Sequence, residues 1–121
     1  MKYPCPCCGY LVFAELPGSD DICEICFWQD DVSQLRFPLL GGGANKPSLL
    51  EAQKNYQDFG AKDTRSVARV RVANATDARD PSWRMIDKVR DHFEARQGVY
   101  DEAYPEDRSL LYYWKNTSED I

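Results

Sequence analysis

Histidine is almost missing from this chain, with His92 the one copy in 121 residues. A Ser-His-Asp or Cys-His centre would need that single imidazole to meet a nucleophile, and no motif here selects one. His92 falls between Val89 and Phe93 in a helical pattern, where it reads as a structural residue. Long apolar runs are missing too. Nothing approaches the roughly 20 residues of a membrane span, and Met1-Lys2-Tyr3-Pro4-Cys5 has no apolar signal core. A cytoplasmic protein with no membrane role is the expectation. Positive charge is not in excess either, with 15 Lys and Arg against 20 Asp and Glu, net −5. Internal repeats and low-complexity stretches are absent. Gly41-Gly42-Gly43-Ala44-Asn45-Lys46-Pro47-Ser48 lacks the G-K-[ST] ending of a phosphate loop and reads as a flexible connector.

Five cysteines are present, and four of them form two C-x-x-C pairs, Cys5/Cys8 and Cys23/Cys26, with 14 residues between the pairs. An odd count without an export signal favours thiolates and metal over disulfides. A C-x-x-C turn aims both sulfurs at one point. Two such turns joined by a hairpin present four thiolates tetrahedrally at about 2.3 Å, the arrangement structural zinc takes. Calcium and magnesium reject sulfur ligands, so one Zn²⁺ on Cys5, Cys8, Cys23 and Cys26 is the reading, with iron second. A closed site of this kind folds a protein and leaves no position for catalytic water. Cys7 lies inside the first turn and is expected to point away from the metal and pack nearby.

Around this motif the chain divides into an N-terminal head with its Gly/Pro connector (1–47) and a helical body (48–121), expected to pack together as one compact unit. Tyr10-Leu11-Val12-Phe13 is β-like, and Leu16-Pro17-Gly18-Ser19-Asp20 is a turn. Ser48-Leu49-Leu50-Glu51 has capping-box spacing, and Gly60 is a C-terminal stop, so residues 48–60 are predicted as a helix. Residues 63–73 are read as a short helix. Asp80-Pro81 opens a predicted helix running to Gly98 with Trp83, Ile86, Val89 and Phe93 on its apolar face. Pro105-Glu106-Asp107 opens a last one anchored by Leu110, Leu111 and Trp114. The fold class is α+β: a zinc-ribbon-like hairpin with two C-x-x-C knuckles, then a mainly helical body of three to four helices.

Tyr3-Pro4-Cys5-Pro6-Cys7-Cys8-Gly9-Tyr10, then Ile22-Cys23-Glu24-Ile25-Cys26-Phe27-Trp28-Gln29-Asp30-Asp31, Gly42-Gly43-Ala44-Asn45 and Ser48-Leu49 strongly resemble the bacterial cysteine-rich CPCC family, over residues 3 to about 60. The resemblance implies a knuckle pair followed by a helix and no established enzymatic activity. It also implies a link to immunity or accessory proteins encoded beside bacterial polymorphic toxins.

Charge gives the head a character of its own. Residues 1–31 hold one base and six acids, whereas bases and acids cancel over 32–121. Phosphate backbones need Lys and Arg at the contact surface, so an acidic head argues against a nucleic-acid module. Asp20, Asp21, Glu24, Asp30 and Asp31 gather around the second knuckle and form a candidate protein-binding patch suited to a cationic partner surface. Arg65, Arg69 and Arg71 are the one local basic run and read as a solvated face. Tyr100, Tyr104, Tyr112, Tyr113 and Trp114 are a second candidate surface, half of it needed as core. The expectation is a zinc-stabilised, non-enzymatic protein-binding module, with toxin neutralisation the role the resemblance implies. The alternative is a zinc-ribbon nucleic-acid-associated or regulatory accessory protein.

Overall fold

A computed structural model describes residues 2–93 and 104–115. The chain is mixed α+β, in element order β1 (Tyr3–Pro4), β2 (Leu11–Phe13), α1 (Val32–Arg36) and α2 (Leu49–Phe59), followed by 3₁₀ turns at Thr64–Arg69, Arg108–Leu111 and Tyr113–Lys115. Among the described residues no helix is long and apolar enough to cross a membrane.

Strands β1 and β2 pair antiparallel, Tyr3 with Phe13 and Pro4 with Leu11. The first cysteine pair occupies the loop between them. The second pair sits in a matching loop closed by an isolated bridge between Ile22 and Gln29. Each knuckle thus has its own small hairpin, and the two repeat each other bond for bond. Cys5 N donates to Tyr10 O and Gly9 N to Cys5 O; Cys23 N donates to Trp28 O and Phe27 N to Cys23 O. The residue after the second cysteine is left-handed in both, Gly9 at φ 85° and Phe27 at φ 72°. Glycine adopts that conformation freely, while a bulky aromatic there carries strain that the surroundings must hold.

The stretch read as a flexible connector is instead pinned by buried side chains. Asp31 caps α1 by accepting from Ser33 N and Gln34 N. Gln34 and Asn45, both fully buried, then knit the glycine loop to the second knuckle. Gln34 Nε2 donates to the carbonyls of Leu40, Asn45 and Pro47, and its Oε1 accepts from Asn45 N and Nδ2. The Asn45 side chain closes on the Gln29 backbone, its Oδ1 accepting from Gln29 N and its Nδ2 donating to Gln29 O. Helix α2 begins as expected, with Ser48 and Glu51 in a reciprocal capping box, and ends on left-handed Gly60. Its inward face is Leu49, Ala52 and Gln53.

Residues 80–93 are not helical, which corrects the predicted helix; its remainder, 94–98, lies outside the described residues. Asp80 does hold Ser82 N and Oγ, as an N-cap would. The chain beyond it is claimed by tertiary partners, since Trp83 Nε1 donates to Pro6 O and Ile86 N to Gln53 Oε1. Val89, assigned to the apolar face, is 89% exposed. The last predicted helix is likewise reduced to 3₁₀ turns, with Tyr112, Tyr113 and Trp114 buried and Leu110 exposed.

One core joins these parts: the knuckle cysteines, Phe13, Ile25, Trp28, Leu35, Leu49, Ala52, Ile86 and the Tyr112–Trp114 aromatics. Gln53 is its polar centre, donating to Pro6 O at 2.9 Å and Tyr113 Oη at 2.8 Å while accepting from Ile86 N at 2.8 Å. Burying a polar group without its partner costs about 1–3 kcal/mol. Gln53→Leu is therefore expected to destabilise the metal-loaded protein by about 3 kcal/mol in denaturant titration. Gln57→Leu, on the exposed side of the same helix, should stay within about 0.5 kcal/mol of the parent.

Candidate metal centre

The two knuckles face each other so that Cys5, Cys8, Cys23 and Cys26 converge, all four sulfurs lying within 4.8 Å of one another. Cys5 Sγ is 3.6 Å from Cys26 Sγ, and Cys8 Sγ is 3.7 Å from Cys23 Sγ. No cysteine is in a disulfide. Four ligands about 2.3 Å from a tetrahedral centre have edges of about 3.8 Å, so these separations fit a metal ion held between the knuckles. Among the described residues this is the one cluster of His, Cys, Asp or Glu so placed.

The site is closed. All four cysteines are 0% exposed. Over the first knuckle, Arg79 Nε donates to Cys8 O, and its guanidinium is sandwiched between the Tyr10 and Trp83 rings at 4.8 Å from each. The Trp83 indole lies so close to Gly9 that an added Cβ would meet it at 2.6 Å. Gly9 is thus required twice, for its backbone and for this approach. Over the second knuckle, Lys62 N donates to Cys26 O and Arg71 N to Glu24 O.

Electrostatics match the geometry. Burial pushes the Cys5 and Cys26 thiols up, while hydrogen bonds from Cys26, Cys5 and Cys8 pull Cys23 well down. A divalent cation between the knuckles would supply the charge that lets buried thiols ionise, so metal uptake would release protons and weaken as pH falls. Cys7 is fully buried and packs beside the centre. Its thiol lies against Cys26, is pushed up by burial and is not one of the four converging sulfurs.

The proposed acidic patch is only partly a surface. Asp20, Asp21 and Glu24 are exposed. Asp30 is 2% exposed, its carboxylate accepting from Ser19 N and Oγ, and burial raises its pKa. Asp31 caps α1 and accepts from Ala44 N. Glu24 is ion-paired with Arg71. Asp30 and Asp31 therefore hold the head together and do not present a free charge. Acids beside a metal knuckle and acids within a turn look alike in sequence. The Ser19…Asp30 spacing gave no sign of the pairing, whereas Asp31 directly before a helix start did carry an N-cap signal. Arg79, Trp83 and Asn45 were missed as supports of the centre, because all three act through contacts distant in sequence.

A family model described as Cysteine-rich CPCC matches residues 3–77. A search of curated proteins finds no match. The matched segment contains both knuckles and α2; the covering residues Arg79 and Trp83 lie just beyond it.

Replacing any one of Cys5, Cys8, Cys23 or Cys26 by Ser should abolish stoichiometric metal binding and cooperative unfolding, read by elemental analysis and thermal melts. Cys7→Ser should keep the metal. Loss of metal in Cys7→Ser, with retention in one of the other four, contradicts the ligand assignment.

Proposed function

The chain belongs to the cysteine-rich CPCC family, and from that premise we propose that it is a zinc-stabilised protein-binding module that neutralises a cognate bacterial toxin. The carrying observation is the closure of the four-sulfur centre, with every ligand fully buried. A centre with four thiolates and no solvent access has no position for a substrate or activated water. Its metal is then structural, and the protein's work lies on its surface. Zinc is the assigned metal because an all-thiolate tetrahedral site suits it and excludes the hard cations.

Exposed Asp20 and Asp21 on the head, together with an overall net charge of −5, support a cationic partner. An acidic surface speeds encounter with a basic active site and competes with its polyanionic substrate. The toxin as partner follows the sequence resemblance.

Purified protein is expected to carry one zinc per chain. With the protein as bait, the polypeptide encoded immediately upstream should be captured stoichiometrically, and it should poison cells when this protein is absent. Capture should weaken as salt rises and when Asp20 and Asp21 are both changed to Asn. Recovery of nucleic acid in place of a protein would overturn the reading in favour of a zinc-ribbon RNA or DNA module.

A further inference from the structure

The basic run of the sequence is split by the fold. Arg71 turns away to fork on Asp77 and to pair with Glu24. Arg65 and Arg69 instead join Lys46, Lys54 and Lys62, residues far apart in sequence, along two adjoining clefts of about 620 and 400 Å³ that share Lys46, Asp63 and Arg65. The clefts run from the N-terminal half of α2 to Phe27 of the second knuckle.

Three observations make this more than a solvated face. First, four of these cations, Lys46, Lys54, Arg65 and Arg69, are not spent. Arg84 is paired with Asp91, Arg79 is stacked between two rings and bound to Cys8 O, and Arg108 reaches Pro17 O. Among the described residues none of the five cleft cations is in an ion pair. Second, the clefts hold five cations against two carboxylates, Glu51 and Asp63, and neither acid is paired with one of those cations. Glu51 accepts from Ser48 N, and Asp63 accepts from Ser66 N and Oγ. The local field is therefore positive in a chain whose net charge is −5. Third, the floor is rigid. Lys62 Nζ is held at 2.9 Å by Oδ1 of buried Asn45 and lies over the Phe27 ring, while Lys62 N donates to Cys26 O. The cleft is thus tied to the metal knuckle itself.

We infer that this cleft is a second interaction surface, which receives a short acidic segment of a protein partner. Two guanidiniums, Arg65 and Arg69, offer planar forks that match carboxylates in bidentate fashion. At physiological salt, charges of the acidic head farther away than a Debye length of about 8 Å are largely screened, and a short acidic peptide carries few charges to be repelled by them. One face of the Phe27 ring, on which a base of a single-stranded nucleic acid would stack, is occupied by Lys62. This surface is independent of whether the acidic head binds a toxin.

The test uses the metal-loaded full chain and a fluorescently labelled hexaglutamate peptide, followed by anisotropy at low and at physiological salt. Saturable binding is expected, weakened at least about tenfold in the double variant R65E/R69E and unchanged in Lys88→Glu, an exposed cation that does not line the clefts. Arg65 and Arg69 are exposed, so the variant should retain its metal and circular dichroism, which are measured alongside. Metal removal should abolish binding. No saturable binding at low salt overturns the proposal, as does equal loss in Lys88→Glu. Tighter binding of a charge-matched single-stranded oligonucleotide that R65E/R69E also abolishes would overturn it in favour of nucleic acid.

Discussion

Four thiols brought within 4.8 Å of one another are the constraint on which the rest of this structure depends. Strands of two and three residues are far below the length at which a hairpin is stable by itself. The two knuckles have little regular structure beyond their matched turn bonds, so a cation bound between them would supply what the short strands cannot. Metal binding and folding are one process in sites of this kind. Everything described around the knuckles either buries the sulfurs or positions the turns that carry them.

The C-terminal half takes part in that task. After α2 the chain passes first over the second knuckle, where Lys62 N and Arg71 N bond Cys26 O and Glu24 O, then over the first, where Leu11 N bonds Ala78 O and Asp80 N bonds Gly9 O. It returns with Tyr112 Oη on Pro4 O and Trp114 Nε1 on Asp80. Gln53 ties helix, knuckle and returning segment at one buried point. A division at residue 47 follows composition, but hydrogen bonds and core contacts cross it throughout. The acidic head and the basic cleft consequently sit on a shared frame, with knuckle residues contributing to both.

Local signals were legible in the sequence and distant ones were not. The C-x-x-C spacing gave all four converging cysteines, because the turn that aims two sulfurs is written in four consecutive residues. The Ser48 and Glu51 capping box and the Gly60 stop gave α2 for the same reason. Residues 63–73 were read as a short helix, and a 3₁₀ turn stands at Thr64–Arg69. The failures share one cause. Asn45 looks like a loop residue, Asp30 like a surface charge, and Asp80–Phe93 like an amphipathic helix. Each was decided by a partner many residues away, and such pairing overrides propensity. Phe27 is the subtlest case: its left-handed backbone becomes evident only when the second knuckle is laid beside the first, where glycine fills the equivalent place.

The most direct test of this account is reversible removal of the metal, followed by near-ultraviolet circular dichroism. Trp28 is fully buried beside the knuckle cysteines in the core, and Trp114 packs tilted on Tyr112 and edge-to-face with Tyr113, so the signal reports packing around the centre. The account predicts that chelation collapses the signal and that one equivalent of zinc restores it in full. A metal-free protein that keeps its native spectrum and melts as before would contradict the claim that the four-cysteine centre holds the fold.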